Sequence, residues 1–538
     1  MAAGQWAGAK AAFEDALARE PTAEAHAGLA DVLWWLGETE TSVRHHERAY
    51  AAFRHRDDLP NAAMAAVGLY LTYRASLGRT VVARGWLARA ARMVEEAGLA
   101  PLAGWVALLR AHDSLDPVAA ERWATEAREV AGRYGDADLE LCALSQLGAA
   151  LVQQGRREEG TTLLDEAMAA ALAGEARRPH TVVYASCNLV TSCAQTAELA
   201  HALQWIHAAD AFEQRFGNPH LYTTCRTYRG AILFNAGEWE AAERDLLAAL
   251  ELGVDAEPDL AGEAAARLAE LRLAQGRVEE AERLLEGREE HPPCAGVLAA
   301  LAAARGDLAS ARRLALRRAH ELTDEAGGRA DSYRPGLSGP LEQAVVWEVL
   351  AAAGTGPQAE AAVARLYELA TSTDCEQLHA RALAAAGRLR GEVETLERAL
   401  SLFTRLRLPL WAGRTRLALA SLLTDDDAIA EARAALGTFE ELGAARDADA
   451  AAARLRDLGV TAPRGGPAGV GELTQREREV LDLLGEGLTN RELADRLFLS
   501  VKTVERHVRN VLFKLGLRNR AEAAAYVVRH GREMRSTR

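Results

Sequence analysis

Residues 227–250, TYRGAILFNAGEWEAAERDLLAAL, decide the fold of most of this chain. Apolar side chains recur at three- and four-residue spacing on both sides of Gly237, with Leu233 and Phe234 before it and Ala241, Leu246 and Leu250 after it. That period gathers them on one face of a helix, while the β-branched alternation of a half-buried strand is almost absent. Gly237 stands where the first helix must stop, because a residue without Cβ reverses the chain at little steric cost. The stretch predicts two helices folded back on each other.

The same arrangement returns on either side. RLAELRLAQGRVEEAERLLEG (267–287) turns at Gly276, and LAALAAARGDLASARRLAL (298–316) turns at Gly306. DVLWWLGETETSVRHHERAY (31–50) turns at Gly37, and AALVQQGRREEGTTLLDEAM (149–168) turns at Gly155. With Gly at the turn and small Ala where helices approach, these units resemble the tetratricopeptide repeat, although the full Trp/Leu/Gly/Tyr signature is missing from most of them. The resemblance implies an α-solenoid over residues 1–458, whose stacked hairpins offer an extended concave surface to a protein, peptide or small-molecule effector.

Two stretches interrupt this pattern. AGGRADSYRPGLSGP (326–340) places Gly and Pro too close together for a helix and is expected to be a surface loop. GVTAPRGGPAGVG (459–471) is short, Gly- and Pro-rich and almost uncharged, as a flexible linker is. It sets off residues 472–538 as a separate domain.

Composition agrees with this division. A chain of 538 residues exceeds what one core organises, and with 49% apolar and 26% charged residues it is neither disordered nor membrane-embedded in class. The first residues carry acidic and amide side chains where a leader needs an apolar run, and no stretch approaches the roughly 18 apolar residues of a membrane span, so a cytoplasmic location is expected. Six scattered cysteines without a CxxC read as small buried hydrophobes. The formal charge of −14 is uneven: from Glu472 onward fourteen Lys and Arg stand against ten Asp and Glu, a net of +4, which leaves −18 on residues 1–471. A basic tail on an acidic body is a charge asymmetry of nucleic-acid binders.

The tail reads as four short helices. Thr474 with Glu477 and Thr489 with Glu492 have the spacing of capping boxes, and Ser500 is an N-cap for a third helix a few residues after the second. In that third helix Val504, Val508, Val511, Leu512 and Leu515 form the apolar stripe, while Lys502, Arg506 and Arg509 make another side basic. Two helices joined by a few-residue turn are the geometry of a helix-turn-helix.

The tail also resembles the LuxR-type, or GerE-like, helix-turn-helix, a member of the winged-helix-like DNA-binding superfamily. Leu473-Thr474, Arg476-Glu477, Glu479-Val480-Leu481, Gly487, Asn490, Glu492-Leu493-Ala494, Leu499-Ser500, Thr503-Val504, His507, Lys514-Leu515 and Arg520 match its pattern over about 50 residues. The resemblance implies a bacterial transcription regulator that places its third helix in the major groove of double-stranded DNA and dimerises through the fourth. On that basis Glu505, Arg506 and Arg509 face bases, and Asn490, Arg491, Lys502, Thr503 and His507 position phosphates. Ala524, Tyr526, Val527 and Val528 are the dimer candidates. Glu505 stands where many relatives have Lys; an acid there accepts from cytosine N4 or pairs with Arg509 four residues on.

Other chemistry is not expected. No GxxxxGK[ST] occurs, and of the three lysines Lys10 lacks the preceding Gly that a phosphate loop needs. The run His320-Glu321-Leu322-Thr323-Asp324 puts Asp where a zinc helix needs its second His. The adjacent pairs His45-His46 and Trp34-Trp35 point in different directions on a helix and are not expected to form one site. Neither a catalytic constellation nor a cofactor or metal site is expected. The competing reading is an interaction scaffold whose last helices dimerise or dock without holding DNA.

Overall fold

Alternating helices make the first unit of the chain. A computed structural model describes residues 4–217, 223–253, 258–326, 339–460, 475–485, 487–497, 501–514, 520, 522, 523 and 526. The chain divides into two units, Met1–Thr461 and Ala462–Arg538, and the described residues contain helices and turns without a strand. No described helix is long and apolar enough to cross a membrane. Most of the segment expected to be a loop at 326–340, and most of the expected linker at 459–471, lies outside the described residues.

Through the middle of the first unit one helix of each hairpin stacks on its counterpart in the next. Ala137–Gln153 packs on Pro179–Thr196, which packs on Thr223–Ala236, then Pro258–Ala274, Pro292–Ala304, Pro340–Ala353 and Glu376–Arg390. The intervening helices, such as Arg157–Ala173 and Trp239–Gly253, pack chiefly on their sequence neighbours. This is the layering of a tetratricopeptide-like α-solenoid. Its trace in sequence is direct: every residue from Leu141 to Val152 in an inner helix is buried. The outer helix that follows buries only Gly160, Leu164, Ala167, Met168 and Ala171, a single stripe with helical spacing. These two helices cross glycine on glycine. A Cβ on Gly148 would lie 2.7 Å from the Gly160 carbonyl oxygen, so no larger residue fits without separating the pair.

The five turn glycines read from the sequence behave alike. Gly37, Gly155, Gly237, Gly276 and Gly306 all have φ between 81° and 85°. In each case the following N–H donates back over the turn, as from Glu38 to Leu33 O (2.9 Å) and from Arg156 to Leu151 O (3.0 Å). The glycine N–H donates one bond further in, as from Gly155 to Val152 O at 2.9 Å. Two carbonyls at each helix end are thereby satisfied, the paired bonds of a Schellman termination. The acidic run Asp425-Asp426-Asp427 opens the helix Asp425–Leu442, where carboxylates face the positive end of the dipole.

All six cysteines are buried, as small apolar side chains are. The adjacent pairs are a mixed result. His45 meets His26 (Nδ1 to Nδ1, 2.9 Å) whereas His46 turns to Asp31 (3.5 Å), so these two do diverge. Trp34 and Trp35 do not: both rings pack on His180, at 4.6 and 5.2 Å between centroids, and meet each other edge-on. The helix ends at Trp35, and two large side chains on its last turn reach the same imidazole ring despite their different starting directions.

Contacts also span distant repeats. Trp6 Nε1 donates to Phe216 O at 2.7 Å, and Cys375 Sγ approaches Ala197 O at 3.7 Å. The Asn235 amide oxygen accepts from both Gln377 Nε2 (3.1 Å) and Trp411 Nε1 (3.3 Å).

The second unit has its own small core. Val480, Leu481, Leu484, Leu493, Val504, Val511 and Ala523 are buried together, with Leu488, Leu497, Val508, Leu512 and Tyr526 packed around them. Three helices carry all of these but Leu488, Ala523 and Tyr526, namely Gln475–Gly485, Asn490–Leu497 and Val501–Lys514, and both earlier helices pack on the last. Arg520, Glu522, Ala523 and Tyr526 are helical as well.

Candidate nucleic-acid interface

The positions of the last helices follow from local signals. Gln475–Gly485 is followed by Gly487 at φ 86°, and the Gly487 and Leu488 N–H groups donate to Leu484 O (3.1 Å) and Leu483 O (3.3 Å). This is the same termination as in the repeats. Thr489 then caps Asn490–Leu497: the Glu492 N–H donates to Thr489 Oγ1 (3.3 Å), and Glu492 Oε2 accepts from the Thr489 N–H (2.7 Å) and hydroxyl (2.8 Å). The expected box is thus closed in both directions. Those bonds, led by the one from the Thr489 backbone, hold the Glu492 carboxyl below the usual carboxylate range. The companion pair Thr474 and Glu477 and the cap Ser500 are not within the described geometry.

Val501–Lys514 presents two unlike faces. Val504 and Val511 are fully buried, and Val508 and Leu512 are half-buried against the domain's core. Glu505 and Arg509, one turn apart, are exposed. Glu505 makes no hydrogen bond or ion pair with a described residue, so the intrahelical pair with Arg509 is not formed. Arg506 takes the register position three residues before Arg509, but its side chain and those of Lys502 and Thr503 are not described. His507 is half-buried. On the preceding helix Arg491 is exposed, and Asn490 has a buried Oδ1 with no hydrogen-bond partner among the described residues. Of the four dimer candidates, Tyr526 is half-buried against its own domain's core, and Ala524, Val527 and Val528 lie outside the described residues.

One role went unread in the sequence. Arg520 matches the resemblance but was assigned no task there; its Nη2 donates to Leu488 O across 32 residues, joining the segment after the third helix to the turn before the second. A local pattern cannot reveal such a bond, since nothing near Arg520 marks an acceptor so far back in the chain.

Residues 471–527 match the model of the family described as bacterial regulatory proteins, luxR family. The spore germination protein GerE of Bacillus subtilis is 46% identical over 59 residues, which are 11% of this chain and 80% of that protein. The chain belongs to the LuxR family. Two other relatives are matched over a smaller share of their length. The transcriptional regulatory protein LnrK of Bacillus subtilis is 50% identical over 60 residues, 11% of this chain and 27% of its own length. The DNA-binding transcriptional activator DevR/DosR of Mycobacterium tuberculosis is 43% identical over 90 residues, 16% of this chain and 41% of its own length. This LuxR-family chain therefore spans well under half of those two relatives. Among solved structures, yeast Tom70 aligns over 84% of this chain and 93% of its own, with 14% identity and a TM-score of 0.33. That score is too low to bear on the repeats, whose architecture rests on the helix packing described above.

Proposed function

We propose that this chain is a sequence-specific DNA-binding transcription regulator, with a repeat region over 1–458, a linker over 459–471 and a DNA-binding domain over 472–538. The helix Val501–Lys514 enters the major groove of double-stranded DNA. Glu505, Arg506 and Arg509 read bases, and Asn490, Arg491, Lys502, Thr503 and His507 position phosphates. The observation that carries this reading is the exposed Glu505–Arg509 face on a helix whose opposite side, Val504 and Val511, is locked into the core of a LuxR-family domain. Glu505, without a partner among the described residues, is available to accept from cytosine N4. The protein acts as a dimer through Ala524, Tyr526, Val527 and Val528, in the cytoplasm and without enzymatic activity. Its repeats bind an effector that governs how the DNA-binding domains are presented.

Selection of genomic fragments by the purified full-length protein tests this, run beside an Arg506→Ala/Arg509→Ala double variant. An inverted motif with half-sites about one helical turn apart is expected. The two substitutions together should remove about 2–6 kcal/mol of discrimination, at about 1–3 kcal/mol for each bidentate contact. Equal enrichment by wild type and variant, or none by either, would favour the interaction-scaffold reading.

A further inference from the structure

Inner helices from Thr223–Ala236 to Pro409–Leu422 wall a cavity of about 520 Å³ in the first unit. That volume lies within the roughly 300–1,000 Å³ of small-ligand sites. Much of its wall is apolar, with Ile232, Leu273, Val345, Val349 and Leu410 among the lining side chains. Trp411 is held within it: its indole N–H donates to Asn235, and the Arg381 and Arg414 guanidiniums lie 4.4 and 5.7 Å from its ring centroid.

The wall carries five arginines and five carboxylates, but they are not paired one to one. Every carboxylate has an arginine within ion-pairing distance: Glu263 and Glu270 on Arg267 (2.9 and 2.7 Å), Glu342 on Arg318 (3.6 Å), Glu348 on Arg381 (2.5 Å) and Asp447 on Arg414 (2.9 Å). Two lining arginines, Arg388 and Arg446, are left with no hydrogen bond or ion pair among the described residues. Arg388 lines the cavity and is exposed to water, with protein packed around its guanidinium. The surrounding protein lowers its pKa, Glu348 opposes the shift, and the Arg414 and Arg381 charges add to it. Glu348 is already gripped by both ends of the Arg381 fork, at 2.7 and 2.5 Å, so it cannot give Arg388 a full partner. Arg388, exposed to solvent and without a partner among the described residues, stands near the Arg381 and Arg414 charges on the cavity wall, where an anion can pair with it.

We propose that this cavity binds a small amphipathic carboxylic acid, its carboxylate on Arg388 and its apolar body against Ile232, Val345, Leu410 and Trp411. The inference rests on the reading that the repeats carry the effector site, and it assigns that effector a chemical class. Binding to DNA by the second unit is a separate matter.

Calorimetry on the full-length protein provides the test, with octanoate, 1-octanol and octyl phosphate as probes. Octanoate is expected to bind at one site per chain and 1-octanol at least about tenfold more weakly, as the loss of one charge-assisted hydrogen bond requires. Arg388→Gln should cost octanoate roughly tenfold and leave 1-octanol unchanged. Ala352→Trp, at an accessible lining position, should abolish the binding of both. The proposal falls if octanoate gives no binding heat, if 1-octanol equals it, or if neither substitution changes its affinity. Octyl phosphate binding tenfold tighter than octanoate would overturn the carboxylate assignment. DNA binding by the same samples, followed by fluorescence anisotropy, separates the two readings: loss of one without the other identifies which is wrong.

Discussion

Charge is used differently in the two units. In the repeats, arginines and carboxylates about one hairpin apart pair with each other: Arg56 with Glu24, Arg156 with Glu121, Arg272 with Glu243, Arg381 with Glu348, Arg390 with Glu360, Arg405 with Glu376 and Arg414 with Asp447 are all 29 to 35 residues apart. Each such bond ties one hairpin to the next. In the second unit Arg491, Arg496 and Glu505 are exposed and make no ion pair with a described residue. The comparison teaches that many charges of the acidic first unit serve to tie its hairpins together, whereas Arg491, Arg496 and Glu505 of the second unit have no such structural task among the described residues.

The comparison can be broken most severely at Arg381. It is 3% exposed and holds Glu348, so Arg381→Met strands a carboxylate in the interior and should destabilise the first unit by about 3–5 kcal/mol. All ten tryptophans fall at or before residue 411, so indole fluorescence during urea unfolding reports on that unit alone. DNA affinity measured under native conditions should not change.

A second, somewhat smaller effect comes from acid. Burial, with Arg74 adding to it, pushes the His112 pKa down to about 4, and burial does the same to His45. The unfolded chain, with histidine near 6.5, therefore takes up protons before the folded one does. Stability from this source is complete above pH 6.5 and is lost as the pH falls toward 4. For His112 the loss is on the order of 2–3 kcal/mol. The indole-detected midpoint should fall over this window, and His112→Gln should flatten its slope. An unchanged slope would show that His112 is not neutral in the fold.

The smallest effect sharpens the contrast from the other side. Thr489→Ala removes the hydroxyl of the capping box and should cost the second unit about 0.5–2 kcal/mol. It should weaken DNA binding slightly and leave the indole signal untouched.

Much of this was legible in the sequence, for local reasons. The turn glycines were readable because the left-handed conformation selects for glycine, and Thr489 with Glu492 because a capping box spans only four residues. Turns made by Asp57, Ala197, Asp374 and Arg407 carry the same positive φ without glycine and left no mark to read. The cavity was equally hidden: Arg388, Trp411 and Ile232 come together only through the stacking of several hairpins, and no spacing rule connects them. In the second unit the helix that carries the proposed reading face could be placed from its valine stripe, whereas the span of the Arg520 bond could not.

Asn235 carries a last consequence. An open stack of hairpins behaves as a chain of nearest neighbours, free to fray from either end one unit at a time. Here one amide oxygen receives bonds from residues 142 and 176 positions away, and Trp6 reaches Phe216 over 210. The coil is clasped like a spring whose loops have been stitched together: a pull on one loop is shared by another half the chain away, and the array should yield all at once where an unstitched one would peel.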